Sequence, residues 1–148
     1  MSYDISIQRD SRKSELVHVD QVKVFLRQVP GMIENDAIQF TYEPDDQHYM
    51  ELDCERYDAN GEWIEDDAPT HINCISVHIP YGYMSAEVAI PNPYLTICVA
   101  FAAHLGWEAR DLQTGQDLTQ GIDHERIRQI ATGVMRTMIE FFDDKAAE

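Results

Sequence analysis

Between Glu43 and Asp67 the chain carries eleven carboxylates in twenty-five residues, and Arg56 is the only lysine or arginine among them. The acids are Glu43, Asp45, Asp46, Glu51, Asp53, Glu55, Asp58, Glu62, Glu65, Asp66 and Asp67. They are interleaved with apolar residues at a spacing of two, which describes a folded acidic surface and not a disordered tail. In residues 48–56, Met50, Leu52 and Cys54 fall on one strand face while Tyr49, Glu51, Asp53 and Glu55 fall on the other. Side chains at i, i+2 and i+4 share a strand face, so Glu51, Asp53 and Glu55 form a ladder of like charge that an isolated fold would not choose for stability. The turn Asp58-Ala59-Asn60-Gly61 then leads to a second acid cluster, Glu62, Glu65, Asp66 and Asp67, with Trp63 and Ile64 embedded in it. Trp63 either packs back onto the sheet, the commoner fate, or stands out as an apolar anchor in an acidic rim.

The charge is segregated. The whole chain has a formal net charge of −16, and residues 28–109 hold fifteen acids against one base. Such a field repels nucleic acid and anionic lipid, whose binding needs clustered Lys and Arg, and it steers basic proteins inward. Acidity can also serve solubility alone, but solubility needs charge without segregation.

At 148 residues and 44% hydrophobic, with six prolines and seven glycines, residues 1–148 read as a single domain with one core. Cys54, Cys74 and Cys98 are odd in number and widely spaced, which reads as buried free thiols in a reducing compartment. The polar start MSYDISIQRD lacks an apolar signal core, and the longest apolar run, residues 95–103, is too short to span a bilayer. These features predict a cytoplasmic protein.

The remaining elements follow in order. Residues 3–8 alternate as a half-buried strand. Asp20 caps a short helix carrying Val22, Phe25, Leu26 and Val29, stopped by Pro30-Gly31. Residues 38–43 alternate again, and residues 71–79 form a strand apolar on both faces and therefore central. Residues 87–90 read as a brief extended stretch. Asn92 or Pro93 opens a core helix over residues 94–105, which Gly106 ends. Residues 107–112 read as a strand, followed by a tight turn and a short return at Asp117-Leu118. Asp123 caps a last helix to about Asp144, striped by Ile127, Ile130, Val134, Met138 and Phe141. The order β-α-β-β-β-α-β-α predicts an α+β fold: an antiparallel sheet of about five strands, three helices mainly on one face, and the Glu51, Asp53, Glu55 row on the open face.

Reaction chemistry finds little support. The glycines are scattered, so no loop cradles a phosphate. No two histidines have metal-ligand helical spacing, and His71 and His78, on one strand, would point to opposite faces. Cys98 and His104 lie on nearly opposite sides of their helix. Asp58-Ala59-Asn60-Gly61-Glu62 resembles a fragment of a calcium loop, but the same residues are what a turn requires. No cofactor, metal or catalytic residue is therefore assigned.

The opening Tyr3-Asp4-Ile5-Ser6-Ile7-Gln8-Arg9 and the later Ala100-Phe101-Ala102-Ala103-His104-Leu105-Gly106-Trp107, running into Asp111-Leu112-Gln113-Thr114-Gly115, resemble small acidic bacterial proteins grouped with the immunity proteins of polymorphic or contact-dependent toxin systems. The resemblance covers scaffold motifs and transfers no functional residues. It implies a cytoplasmic inhibitor that binds and occludes one toxin domain, often a basic nuclease. The architecture and acidity also resemble the small secretion chaperones that bind effectors as dimers. That alternative would expose Tyr81, Tyr83, Met135, Met138, Ile139 and Phe142 and make the chain a homodimer. A third class, a small-molecule enzyme, would need a pocket of convergent polar groups, and a domain with neither catalytic activity nor a specific partner is the plain alternative to all three. The reading taken forward is a non-catalytic protein that binds a basic toxin or effector domain through Glu51, Asp53, Glu55, Asp58, Glu62, Trp63, Glu65, Asp66 and Asp67.

Overall fold

The alternating segments assemble into one antiparallel sheet. In the computed structural model, which describes residues 2–85 and 87–147 and the side chains among them as far as 143, strand β1 is Ser2–Gln8 and β2 is the two-residue Val17–His18. Helix α1, Val19–Leu26, precedes β3 (Met32–Glu34), β4 (Gln39–Tyr42), β5 (Met50–Glu55), β6 (His71–Ile72) and β7 (Cys74–Pro80). Helix α2 is Pro93–Leu105, β8 is Glu108–Asp111 and α3 is His124–Ala147. The order in the main sheet is β3-β4-β5-β7-β1-β8, with every neighbouring pair antiparallel, and β2 pairs with β6 in a separate ribbon. The sheet thus has six strands where about five were expected. The three-residue β3 and the two-residue β2 are too short to show a period in sequence.

Register sorts the side chains into two layers. Ile5 lies opposite Val77, Val77 opposite Leu52, and Leu52 opposite Phe40. Ile7, Ile75 and Cys54 form the next row, and all of these residues are buried. The helices cover this face: Val22 and Leu26 of α1, Leu95, Cys98, Phe101 and Ala102 of α2, and Ile127 and Ala131 of α3 belong to the same apolar cluster. The Phe25 and Phe101 rings stack at 5.0 Å and join α1 to α2. Each large aliphatic or aromatic side chain so buried contributes about 1.5–3 kcal/mol relative to exposure. The opposite face carries Thr41, Glu51, Asp53, Glu55, His78, Ser76, Asp4, Ser6, Gln8 and Arg110, a polar layer outside that apolar cluster.

Several local expectations need correction. Asp20 sits in the first turn of α1, and the cap is His18, whose Nδ1 accepts the Asp20 amide at 3.1 Å. The helix closes at Leu26, ahead of Pro30, and the chain turns at Gly31, whose φ is +86°. A Cβ there would lie 2.7 Å from the Glu43 carbonyl oxygen, so the α1–β3 connection requires glycine. Strand β1 is covered on both faces at its end, Ser6 and Gln8 being 7% and 5% exposed. Residues 71–79 do not form one strand. Asn73 interrupts them, sending β6 to β2 while β7 takes the predicted central place between β5 and β1. Residues 87–90 contain no strand, while the short return expected at Asp117-Leu118 is one antiparallel bridge, Asp117 to Arg110, before Leu118 opens a 3-10 turn.

The caps of α2 follow the sequence. The Asn92 side chain accepts the amides of Tyr94 and Leu95, Pro93 opens the helix, and left-handed Gly106 closes it. In α3, Asp123 accepts the Arg126 amide at 3.1 Å. The apolar stripe of α3 starts on the core at Ile127 and runs beyond it to Phe141, which is 54% exposed, and Ile139 and Phe142 beside it are 56% and 62% exposed. No helix among the described residues is long and apolar enough to cross a membrane.

Candidate protein-binding surface

The acidic surface is built by β5 and the chain that leaves it. After Glu55 the backbone folds back on itself: Ile64 donates to the Arg56 carbonyl and Asp58 to that of Glu62, both at 2.8 Å, and Tyr57 bridges Trp63. Asp58 shapes the turn. Its carboxylate accepts the amides of Asn60 and Glu62 at 2.9 and 3.0 Å, and Gly61 takes a φ of +79°. Those bonds explain Asp58 as a turn residue, and no three His, Cys, Asp or Glu side chains among the described residues converge to hold a metal ion.

This hydrogen-bonded return of the chain tethers the Trp63 backbone while leaving its ring outside. Trp63 is 57% exposed and Ile64 37%, so packing onto the sheet, the commoner fate expected, is not what Trp63 does. Beneath the ring lies a cleft of about 190 Å³ lined by Asp53, Glu55, Trp63, Ile64 and Asp66, among others. Four of the nine sequence-assigned residues, Asp53, Glu55, Trp63 and Asp66, thus meet at one place. Glu51 stands one row away on the same face, and Glu62, Glu65 and Asp67 surround the cleft's loop in solvent. Among the described residues Glu51, Glu62, Glu65 and Asp67 receive no side-chain hydrogen bond and no ion pair. Asp58 is turned to the far side of Ile64.

The Glu51, Asp53, Glu55 ladder is less bare than the single strand suggests. His78 on β7 holds Asp4 of β1 with Nδ1 at 2.8 Å and lies 3.5 Å from Asp53 with Nε2. Ser76 donates to Glu55. On the other flank Gln8 donates to Glu108 at 3.2 Å, and Arg110 clasps Glu108 at 2.5 Å. The Asp53 carboxyl is nonetheless pushed above its ordinary range, first by its burial and then by the neighbouring Glu55 and Glu51, against the pull of His78. A cation entering the cleft would relieve that stress. The sequence reading missed His78, Ser76 and Asp4 as members of this face. Their only signal was the polar alternation of β1 and β7, which has no meaning until register sets those strands beside β5.

The other chemical candidates fall apart. Cys98 is buried within α2 while His104 is exposed and rests on the Phe25 ring at 5.0 Å. Burial pushes the Cys54 and Cys98 thiols up to about 12, the opposite of nucleophile activation. His71 lies against His18 on the small ribbon, with ring centroids 5.0 Å apart, and not on the strand of His78. Tyr81 and Tyr83 are half-buried, the latter stacked on Tyr94 at 5.6 Å, and Met135 and Met138 are half-buried too.

No protein-family model matches the chain, and comparisons with curated proteins and with solved structures give no significant similarity.

Proposed function

We propose that the chain is a cytoplasmic, non-catalytic binding protein that occludes a basic protein domain, in the manner of an immunity-type inhibitor of a toxin or effector. The observation that carries this reading is Trp63: a large aromatic side chain held outward by a hydrogen-bonded turn of the chain, over a cleft lined by Asp53, Glu55 and Asp66. A tryptophan anchor within a charged rim is the arrangement in which a few residues carry most of an interface's binding energy. The uncompensated Glu51, Glu62, Glu65 and Asp67 supply the field that draws a cationic surface in and sets its approach. The same field disfavours nucleic acid and anionic membrane as partners.

The test is affinity capture by the purified full chain from extracts of its native organism, at low and high salt, beside Trp63→Ala and Glu62→Lys/Glu65→Lys variants whose folding is checked by circular dichroism. The expected result is one basic protein whose capture weakens with salt, is lost with Trp63→Ala, and whose own activity is suppressed by the wild-type chain. Capture indifferent to both variants would remove this surface, and the inhibitory reading with it.

A further inference from the structure

The cleft has a neighbour of opposite sign. On the other side of Ile64 and Arg56, which line both, lies a groove of about 510 Å³ bordered by Arg12, Lys13, Tyr57 and Leu16. The molecule holds 27 acidic residues against 11 Lys and Arg. Yet among the described residues the Arg12 and Arg56 side chains make no hydrogen bond or ion pair, and the Lys13 ammonium meets only the Tyr57 ring, 4.7 Å from its centroid. Asp58 also borders the groove, with one of its carboxylate oxygens occupied by the turn amides of Asn60 and Glu62.

The groove is pre-built. Asp10 gathers the loop by accepting the amides of Arg12 and Ser14 at 3.0 and 3.2 Å and the Ser14 hydroxyl. Lys13 is the one non-glycine among the described residues with positive φ, at 53°, a conformation that costs energy and persists only where its surroundings enforce it. Asn73 does so from within the fold. Its side-chain amide donates to the carbonyls of Lys13 and Tyr57 at 3.2 and 2.8 Å and its oxygen accepts the Tyr57 amide at 2.8 Å, locking the two walls together.

We propose that this groove is the anion-binding half of the docking surface, taking a carboxylate side chain of the same partner whose cations meet the acidic cleft. The inference rests on the binding function proposed above and adds a requirement to it: the partner presents an acidic group beside its basic patch, separated by the ridge of Ile64 and Arg56 that borders both. Complementary charge on both sides of a ridge fixes register, because a partner turned around would set like charges against each other.

The test uses the ¹⁵N-labelled full chain titrated with an acetylated pentaglutamate peptide, and separately with inorganic phosphate. Glutamate peptide is expected to shift the amides of Arg12, Lys13, Ser14 and Tyr57, and Arg12→Glu/Arg56→Glu to weaken it by more than about tenfold, the equivalent of one charge-assisted hydrogen bond. Lys13→Gly, whose backbone suits the left-handed conformation, serves where the double reversal disturbs folding, and it too should weaken the peptide. Silence of those amides, affinity unchanged in the folded variants, or phosphate binding as tightly as the peptide would overturn the assignment, the last in favour of a free small anion. Pentalysine peptide, read by the Trp63 indole N–H resonance of the same labelled chain, probes the acidic cleft independently, so a failure of the groove and a failure of the cleft are told apart.

Discussion

Tyr3 and Asp111 stand 108 residues apart in the chain, and the Tyr3 hydroxyl donates to the Asp111 carboxylate at 2.5 Å with both residues wholly buried. Asp111 also accepts the amides of Gln113 and Thr114 at 2.8 and 3.1 Å, so a single carboxylate ties β1 to the turn after β8. Tyr3→Phe leaves that carboxylate short of a donor in a place water does not reach. A loss of about 1–3 kcal/mol in urea unfolding is expected, the cost of an orphaned buried polar group. A change within about 0.5 kcal/mol, the scale of ordinary surface substitutions, would show that the bond contributes nothing net.

Alkaline pH should unfold the protein early. Burial raises the Cys54 and Cys98 thiols from 9.0 to about 12 and the Tyr57 and Tyr94 phenols from 10.0 to about 12, and it lifts Tyr3 still further, with Asp111 adding to the effect. The unfolded chain releases these protons near 9.0 and 10.0 while the folded chain keeps them, so each step upward in pH favours the unfolded state. Their contribution is intact below the cysteine value and is lost as pH climbs toward 12. Melting temperatures recorded across this range should fall from about pH 9, and Cys98→Ala should make the onset shallower.

Asn73→Ala should be costly well beyond the loss of one side chain. Three hydrogen bonds vanish and the Lys13 and Tyr57 backbone groups lose buried partners, a sum of about 2–4 kcal/mol. Hydrogen exchange would locate the damage: the Tyr57 amide should lose protection, while the amides of β7, held by β1 and β5, retain theirs.

Reversing charge on β5 separates binding from folding only at one of its three acids. Glu51→Lys removes no hydrogen bond or ion pair among the described residues and should leave the unfolding free energy within about 0.5 kcal/mol of wild type while slowing association with a basic partner. Asp53→Lys and Glu55→Lys instead confront His78 and orphan Ser76, so the triple reversal destabilises the fold as well. Equal destabilisation by all three single reversals would contradict this division.

Much of the architecture is readable from period alone. The β5 alternation Met50, Leu52, Cys54 against Glu51, Asp53, Glu55, the Asn92-Pro93 opening of α2 and its Gly106 stop all reach the structure unchanged, because each is a local signal. Asn73 shows where such signals end: it continues an alternating pattern, and only the demand of the Lys13 and Tyr57 backbones for a buried partner breaks the strand there. The placement of Glu51, Asp53 and Glu55 on one face was legible for the same reason that β5 was. The groove of Arg12, Lys13 and Arg56 was not, since two of its bases lie in a segment that reads as a connecting loop and the third, among eleven acids, reads as an exception.

The two borders of the sheet restrict how anything can recognise this molecule. Strand β3 has three residues, and its Glu34 is held by Lys23 and Arg27 of the α1 region. Strand β8 has four, and Asp117 and Gln116 already bond the Ala109 and Asp111 amides on its outer side. Neither leaves a row of free backbone groups long enough to template an added strand. Extending the sheet, a mode that would accept almost any sequence, is therefore disfavoured for any partner. The molecule has to be read side chain by side chain, and selectivity then becomes a property of a few surface positions that can change without disturbing the scaffold beneath them.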